Sequence, residues 1–327
     1  MKHFCIYPKE GFFLQRRYDV ICVGQLCADI LVRPVNEKIF TVDSTPVDSM
    51  LLWPGGDAQN ESCVMAKLGM KTALVGKIGH DIWGDAIVDI VTKSGVDLSH
   101  VVRDDTVNTC TSVALIFEDG RRNFLYQGGG NDAFTADDID FSLFSQTRLV
   151  TLGSLFSLPG LLESGFATIV QKAHEAGALV SADTAQVPEG YTAESIRPII
   201  QDLDYFMPSY EEASKLVNSD NPETIVDRLK AVCRGVVILK HGGDGCYVSD
   251  GQQSFHMPPF KVNAIDTTGA GDNFTGGFMT AVLKGFSLRE CARFANATGA
   301  ISVQSIGTTT AIQNFQQVMD FLAAHPA

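Results

Sequence analysis

The fold class of this chain is decided by one stretch, Asp266-Thr267-Thr268-Gly269-Ala270-Gly271-Asp272-Asn273-Phe274-Thr275-Gly276-Gly277-Phe278. Its Gly-Ala-Gly turn leads directly into a helical pattern that runs from Asn273 to about Leu283. Small residues let a backbone approach a ligand closely, and the first N–H groups of a helix have no partner inside the helix. The stretch therefore predicts an anion site suited to a phosphoryl group, with Asp272 at its mouth as an acceptor for a hydroxyl proton.

Three other phosphate-binding motifs are excluded by counting residues. A dinucleotide G-x-G-x-x-G motif needs a glycine where Phe274 stands. A Walker A loop needs Lys and then Ser or Thr after Gly276, and Gly277-Phe278 follow instead. A protein-kinase H-R-D loop is absent from the sequence. One structural alternative stays open, namely a glycine-rich helix entry in which Asp272 only stabilises the helix dipole.

The residues around this stretch indicate an α/β fold. Short apolar runs alternate with helical patterns, such as the one between 162 and 173. This alternation predicts a mostly parallel central sheet with helices on both faces and with ligands at the carboxyl ends of its strands. Strands are predicted at 18–23, 72–78, 149–152, 178–182, 205–207 and 236–239. The predicted architecture is a three-layer α/β sandwich.

Two segments do not fit this alternation. Short strands punctuated by proline lie within about 31–53, and Asp119-Gly120 joins the strands of a hairpin at 110–126. Both segments are predicted to form a small β-sheet lid over one edge of the main sheet. The exposed strand edges also indicate a homodimer through the lid as one open alternative.

Composition indicates a cytoplasmic globular protein and excludes several partners. The 327 residues, 45% of them hydrophobic, are enough for one large domain at 18–327 after an N-terminal extension at 1–17. The formal charge of −13 predicts no binding to nucleic acid or to anionic membrane surfaces. Scattered cysteines without a C-x-x-C pair indicate a reducing compartment. No apolar stretch reaches the ~18–20 residues of a membrane span.

The stretch from Asp266 to Phe278 resembles the C-terminal signature of the ribokinase-like (PfkB) carbohydrate kinase family over more than a dozen positions. The other landmarks of that family follow in the right order. They are G-Q-L-C-A-D at 24–29, G-G-D-A-Q-N at 55–60, G-H-D-I-W-G at 79–84 and K-H-G-G-D-G at 240–245. The resemblance covers residues 18–324, and it implies the ribokinase-like form of the sandwich with its β lid.

The resemblance implies a kinase that transfers the γ-phosphate of ATP to a hydroxyl group of a small sugar or sugar acid. Asp272 would act as the base, and the anion hole would be formed by Gly269, Ala270 and Gly271. The substrate would lie between the main sheet and the lid, against Asp29, Gly55, Gly56, Asp57 and Asn60. ATP would lie on the other side of the turn, against Lys240, Gly242, Gly245, Thr268 and Asn296.

The resemblance also implies two kinds of ion. Glu212 and Asp183 would hold Mg²⁺ and the phosphates through water, and Asp266 with the loop near Gly307 matches the place where many relatives bind K⁺. At positions 209–212 the family usually has N-x-x-E, whereas this sequence has Ser209 three residues before Glu212. The pattern S-x-x-E is also that of a helix capping box. We therefore interpret Ser209 as a helix cap and Glu212 as the residue of the metal network.

Several of these candidates have a structural alternative. Asp57 lies at a helix start and could be an N-cap, and Asp29 could be an ordinary loop residue. Lys240 could be a solvated charge at a strand end, and Asn296 an ordinary residue on a helix surface. Position in the family pattern favours the functional interpretation for Asp29, and the neighbouring Gly242 and Gly245 favour nucleotide contact for Lys240.

The sequence departs from the family pattern near the expected substrate. Cys27 stands where relatives commonly have Asn, and Ala185-Gln186 stand where Asn and Arg often follow Asp183. Two rival functions stay open: a nucleoside kinase of the same fold, or a sugar-binding sensor without activity. The intact Asp272 argues against the sensor, because binding alone does not need that residue. Aromatic residues that could form a slot for a nucleobase are Trp53, Phe117 and Phe124.

The predicted lid carries three arginines, Arg33, Arg121 and Arg122. They could meet a carboxylate or a phosphate group of a substrate, or they could simply keep exposed strand edges soluble. The sequence leaves both roles, and with them the identity of the sugar, open.

Overall fold

The computed structural model describes residues 16–119 and 121–326. Within these ranges the strands are β1 (Tyr18–Gly24), β2 (Cys27–Val35), β3 (Ser49–Gly55), β4 (Thr72–Gly79), β5 (Asp97–Asp104), β6 (Thr111–Phe117), β7 (Arg122–Gln127), β8 (Thr147–Gly153), β9 (Leu179–Ala182), β10 (Tyr205–Phe206), β11 (Val236–Lys240), β12 (Cys246–Ser249) and β13 (Ser254–Met257). The α-helices of the same ranges are α1 (Asp57–Lys67), α2 (Ile82–Thr92), α3 (Gly165–Glu175), α4 (Arg197–Ile200), α5 (Tyr210–Val217), α6 (Pro222–Val232), α7 (Ala270–Leu283), α8 (Leu288–Ser302) and α9 (Phe315–Ala324).

The main sheet has nine strands in the order β13-β12-β11-β10-β9-β8-β1-β4-β5. Every neighbouring pair from β11 to β5 is parallel, and only the pairs β11–β12 and β12–β13 are antiparallel. The carboxyl ends of β1, β8, β9 and β11 therefore open on the same edge of the sheet, which is where such folds bind ligands. This confirms the predicted mostly parallel sheet.

Helices cover both faces of this sheet because both faces are apolar. On one face, Phe166 of α3 and Leu229 of α6 belong to a buried cluster with Val150 of β8. On the other, Met65 of α1 and Phe278 of α7 belong to a second buried cluster. Burial on both sides explains the continuous apolar runs in the strands, and it confirms the three-layer arrangement.

The lid is a separate four-stranded sheet in the order β3-β2-β6-β7. Its β2 begins at Cys27, four residues before the predicted start of the lid strands at about 31, so Asp29 lies within a strand and not in a loop. β7 forms an edge of the lid and is exposed along its whole length, including Leu125 at 63%. A dimer through this edge stays a prediction.

Other differences from the sequence analysis have physical causes. α7 begins at Ala270, three residues before the predicted start, because the Gly-Ala-Gly turn already forms its first turn. β5 is half-exposed with polar residues at both ends, and β12 and β13 have only four residues each, so none gives a strong apolar run. All three lie at or near the edges of the main sheet.

Of the predicted N-terminal extension, residues 1–15 lie outside the described residues. Arg16 donates hydrogen bonds to the carbonyl oxygens of Thr147 and Ala176, and Arg17 forms an ion pair with Asp97. The end of this segment therefore contacts the main domain. No helix in the described parts of the chain has the length and apolar character needed to cross a membrane.

Candidate active site

The N-terminus of α7 presents free N–H groups at the carboxyl edge of the main sheet. Gly269 precedes the helix with a φ of 74°, a left-handed conformation that glycine adopts without strain. The Ala270 N–H donates to the Thr267 carbonyl oxygen at 3.2 Å. The N–H groups of Gly271 and Asp272 donate to no carbonyl among the described residues. Of the turn residues predicted to form the anion hole, Ala270 therefore has an engaged N–H group and Gly271 a free one, and Asp272 adds a second free N–H group.

Gly269 is also fixed by its neighbours, and we expect Gly269→Ala to lower both stability and activity. A Cβ at 269 would lie 2.8 Å from the Cα and the carbonyl oxygen of Thr308. The matched control is Gly285→Ala, whose φ of 81° is similar and whose Cβ would meet nothing within 4 Å. The left-handed backbone costs about 1–2 kcal/mol in both variants, and the clash adds about 1–3 kcal/mol in Gly269→Ala only.

The measurement is urea denaturation of both variants, together with turnover under saturating substrate. Equal losses of unfolding free energy, or unchanged activity in Gly269→Ala, would contradict the close approach between the turn and Thr308.

Asp272 is 9% exposed and is held by a chain of hydrogen bonds that leads towards the lid. The Asn60 side-chain amide donates to Asp272 Oδ2 at 2.7 Å, which leaves Asn60 Oδ1 to accept from the Thr308 hydroxyl at 3.1 Å. Thr308 Oγ1 also lies 3.1 Å from the carbonyl oxygen of Pro54 at the end of the lid. Asn60, on α1, thus fixes the orientation of the Asp272 carboxyl group.

Burial and the nearby carboxylate of Asp57 raise the pKa of Asp272 well above its usual range. Burial and the carboxylate of Asp183 likewise raise the pKa of Asp57 to about 7. Asp57 is the first residue of α1 and lies near Ser154, Asp183 and Lys240. A basic carboxyl group beside free N–H groups can accept a proton while an anion binds at the helix start.

Lys240 and Asp183 form a buried ion pair next to the anion hole. Lys240 Nζ donates to Asp183 Oδ2, which also accepts from the Thr275 hydroxyl at 2.9 Å. The Thr184 N–H donates to Asp183 Oδ1 at 2.7 Å. Lys240 Nζ lies 3.4 Å from the position that a Cβ on Gly271 would occupy. An ammonium group therefore stands beside the free N–H groups of α7.

Glu212 forms the capping box that the Ser209-x-x-Glu212 pattern indicates. Its Oε2 accepts from the Ser209 hydroxyl at 2.7 Å and from the Thr184 hydroxyl at 2.6 Å, and its Oε1 accepts from the Gln186 N–H at 3.1 Å. Thr184 follows Asp183 directly, so the Glu212 carboxylate lies close to the ion pair. A role in holding Mg²⁺ through water stays a prediction.

Asp29 lies at the base of the lid, close to Gly55, where no larger residue fits. A Cβ on Gly55 would lie 2.1 Å from Asp29 Oδ2, and Cys27 pairs with Gly55 across the two strands. Burial raises the pKa of Asp29, while hydrogen bonds from Cys27 and Ser112 lower it. Cys27 Sγ also lies 3.1 Å from the Sγ of Cys110. Cys27 therefore takes part in orienting the Asp29 carboxyl group.

A cavity of about 200 Å³ lies between the inner face of the lid and the loops at 264–268 and 306–308. Asp29, Trp53 and Thr308 line it, so the Thr308–Asn60 hydrogen bond joins the cavity to Asp272. Of the other aromatic candidates for a nucleobase slot, Phe124 lines the cavity, whereas Phe117 packs in a cluster that does not.

Among the residues predicted to bind ATP, some have open space beside them and others are engaged in contacts within the protein. A Cβ on Gly242 would meet nothing within 4 Å, so the surface beside Gly242 is open. A Cβ on Gly245 would lie 2.1 Å from the Met257 carbonyl oxygen, so Gly245 is closely packed. The Asn296 amide donates to the carbonyl oxygens of Met257 and Pro258 at 3.1 and 2.9 Å. Asn296 thus holds the 257–258 segment in place, and contact with ATP stays a prediction.

Asp266 joins two loops of the site. Its Oδ1 accepts from the N–H and hydroxyl of Thr268 at 2.9 and 2.7 Å, and its Oδ2 accepts from the Gly307 N–H at 3.1 Å. Although burial opposes it, these hydrogen bonds hold the pKa of Asp266 below its usual range. No cluster of three or more His, Cys, Asp or Glu side chains suited to a metal occurs among residues 16–119 and 121–326. A K⁺ site at Asp266 stays a prediction.

Comparison with known proteins bears directly on this site. Residues 17–314 match the model of the pfkB family carbohydrate kinases. The chain belongs to this family. It is a sugar kinase, a phosphotransferase with an alcohol group as acceptor.

Individual relatives of this pfkB kinase cover nearly its full length. Fructokinase-2 of Zea mays is 30% identical over 285 residues, which is 83% of this chain and 85% of that protein. Among solved structures, a ribokinase from Thermotoga maritima has a TM-score of 0.81 at 25% identity, covering 94% of this chain and 99% of that one. An Arabidopsis thaliana ribokinase complexed with ribose and ATP has a TM-score of 0.80 at 24% identity, covering 93% and 98%. The ribokinase-like fold is confirmed.

The sequence analysis missed one residue of this pfkB kinase's site, Glu61. Its side chain is fully buried between α1 and the sheet, where Oε2 accepts from the Thr151 hydroxyl at 2.9 Å and Oε1 has no hydrogen-bond partner among the described residues. Burial and the carboxylates of Asp183 and Asp272 raise the pKa of Glu61 well above its usual range. The signal was the helical spacing, because Glu61 follows buried Ala58 by three positions.

We expect Glu61→Gln to stabilise this pfkB kinase, and increasingly so as pH rises. Folding raises the pKa of Glu61, so stability is lost as pH rises from about 4.5 towards the folded pKa. The neutral amide escapes this loss, and the difference in unfolding free energy should grow by about 1.4 kcal/mol per pH unit within that window. Denaturation curves between pH 5 and 8 measure it, with exposed Glu163→Gln as control. A difference that does not change with pH would refute the assignment.

Proposed function

We propose that this kinase transfers the γ-phosphoryl group of ATP to a hydroxyl group of a small sugar or sugar acid, with Asp272 as the base. The observation that carries the proposal is the arrangement at the start of α7. A carboxyl group with a raised pKa, two free N–H groups and the Lys240 ammonium lie together at the edge of the main sheet. Phosphoryl transfer needs positioning and charge stabilisation more than covalent chemistry, and this arrangement supplies both.

The residues present fit the polyphosphate of ATP. The N–H groups of Gly271 and Asp272 and the charge of Lys240 favour an anion, and open space beside Gly242 leaves room for the rest of the nucleotide. ATP supplies the phosphoryl group that is transferred. Its binding is also supported by the folds of ribokinases solved with it.

The donor set fits Mg²⁺ only through water. The carboxylates of Asp183 and Glu212 already accept hydrogen bonds from protein groups, so we expect them to hold the ion through its own water ligands, as is usual for Mg²⁺. When bound, the ion adds positive charge beside the phosphates. The protein's own part is to fix both carboxylates by hydrogen bonds.

The acceptor hydroxyl would lie between the cavity and Asp272. Asp29 accepts hydrogen bonds from substrate hydroxyls at the base of the lid, and Asn60 holds the Asp272 carboxyl group in position. Asp272 orients the attacking hydroxyl and takes its proton late in the transfer. The lid excludes water, which limits hydrolysis of ATP.

The test is ATP consumption by the purified protein with Mg²⁺ and K⁺ across ketoses, aldoses, sugar acids, sugar phosphates and nucleosides, with Asp272→Asn as the blank. Phosphorylation of a sugar that disappears in the variant supports the proposal. Turnover with nucleosides alone would establish the rival nucleoside kinase. ATP and sugar binding without turnover would establish the sensor.

A further inference from the structure

The cavity beneath the lid contains two arginines whose charge the proposed mechanism does not use. Arg33 of β2 and Arg122 of β7 both line it. Its two carboxylates are Asp29, which accepts hydrogen bonds from Cys27 and Ser112, and Asp266, whose oxygens accept the hydrogen bonds from Thr268 and Gly307. The cavity therefore holds two cationic and two anionic side chains, and neither arginine forms an ion pair with either of these carboxylates.

The lid strands place the two arginines on either side of β6, near its C-terminal end. Ile116 of β6 pairs with Arg122, and the neighbouring pair Val32–Leu115 brings β2 alongside β6 at the same level. Arg33, Ile116 and Arg122 all line the cavity, so they share the inner face of the sheet. Strands lie about 4.8 Å apart, and two long side chains separated by one strand can bind the same group.

Both side chains line the cavity, although Arg122 lies on the exposed strand β7 and only Arg33 is half-buried. Arg122 Nη1 donates to the Thr268 hydroxyl, which fixes the guanidinium beside the turn and leaves its other N–H groups available. Half-buried Arg33 forms no ion pair with any residue in the described ranges. In contrast, exposed Arg121 on the same lid forms ion pairs with Glu37 and Asp119.

Because the whole protein is acidic, an anionic substrate needs positive charge close to its binding site, and this pair of arginines supplies it. At a formal charge of −13 the protein repels anions at long range, and local cations must offset that field. Planar guanidinium groups bind carboxylate and phosphate with paired hydrogen bonds, which lysine cannot do. Leu31, Leu51 and Phe124 line the cavity between the arginines and Asp29, whereas Thr267, Thr268 and Thr308 line the wall that the loops form.

We propose that the substrate is an anionic sugar derivative, whose carboxylate or phosphate group binds Arg33 and Arg122 while its hydroxyl groups bind Asp29. This inference rests on the proposed function for the identity of the site, and it adds the substrate class. Asp29 and Arg33 are four residues apart on β2, about 13 Å along the strand, so the charged group binds at the end of the cavity remote from Asp29.

The test measures binding without turnover, so that it stays separate from the kinase activity. Titration calorimetry with the wild-type protein compares D-fructose, D-gluconate and D-fructose 6-phosphate, in the absence of ATP. We expect one of the two anions to bind about 10–100-fold more tightly than D-fructose, since hydrogen bonds to charged groups are the stronger ones. Gluconate as the tightest ligand identifies a carboxylate, and fructose 6-phosphate identifies a phosphate.

Three single-residue variants test whether the preference for an anion over D-fructose arises in the cavity. Arg33→Gln and Arg122→Gln should each reduce the ratio of anion affinity to fructose affinity about 10-fold or more, whereas Arg121→Gln should leave it unchanged. Melting temperatures confirm that the variants are folded. The proposal is overturned when D-fructose binds as tightly as both anions, when nothing binds, or when Arg122→Gln weakens all three sugars equally. An inactive protein that binds the anion would refute the kinase mechanism alone.

Discussion

Asp272→Asn is expected to lower kcat about 10²–10⁴-fold, because the variant keeps the shape of the site and loses the proton acceptor. The oxygen of the introduced side-chain amide can still accept the hydrogen bond that Asn60 donates to Asp272 Oδ2 at 2.7 Å in the wild-type protein. Saturating both substrates isolates this effect from binding. The measurement is steady-state turnover with the best acceptor found in the panel, together with ATP affinity by titration.

The stability of Asp272→Asn shows whether its lower turnover comes from the lost proton acceptor or from misfolding. Burial raises the pKa of Asp272, so folding favours its protonated form and the wild-type protein loses stability as pH rises towards the folded pKa. A neutral amide avoids that loss, and Asp272→Asn should be as stable as wild type or more stable at pH 7. Exposed Asp89→Asn on α2 is the control, with unchanged turnover and a stability loss below ~0.5 kcal/mol from its surface ion pair with Lys93. Near-normal turnover in Asp272→Asn would refute Asp272 as the base.

Much of this site followed from the sequence because its parts are local. The stretch from 266 to 278 contains both the turn and the base, and Gly55-Gly56 precede a helix with a recognisable start and stop. Parallel strands place their carboxyl ends at one edge, which is why Asp183 and Lys240, at the ends of β9 and β11, lie on the same side of the sheet. The capping box at Glu212 was likewise contained in four residues.

The pairings across the site could not be predicted, because they depend on packing between distant segments. Asn60 and Asp272 are 212 positions apart, and nothing in their local patterns indicates that one donates to the other. For Asp266, whose carboxylate joins its own turn to Gly307, only the resemblance to the family indicated that the two loops lie together. Glu61 was missed for a different reason: a charged residue on an apolar helix face contradicts the pattern that predicts the helix.

Removing Lys240 is expected to destabilise the protein strongly, because it leaves a buried carboxylate without its counter-charge. The side chains of Asp183 and Lys240 are 2% and 11% exposed, and Lys240 Nζ donates to Asp183 Oδ2. Breaking a buried pair from one side costs about 3–5 kcal/mol, so Lys240→Met should lower the unfolding free energy by that amount at pH 7.5. Urea denaturation measures it, with exposed Lys93→Met, which breaks the surface pair with Asp89, as the control.

The double variant Asp183→Asn/Lys240→Met distinguishes charge from packing. Replacing both partners removes the unpaired charge, so its loss should be smaller than that of Lys240→Met alone. The pH dependence has a definite sign. Burial raises the pKa of Asp183, and without Lys240 the carboxyl group takes up a proton more readily, so the loss in Lys240→Met should shrink as pH falls to 5.5. A loss that is equal at both pH values and is kept in the double variant would mean that Lys240 stabilises the site through its aliphatic stem, and not through its charge.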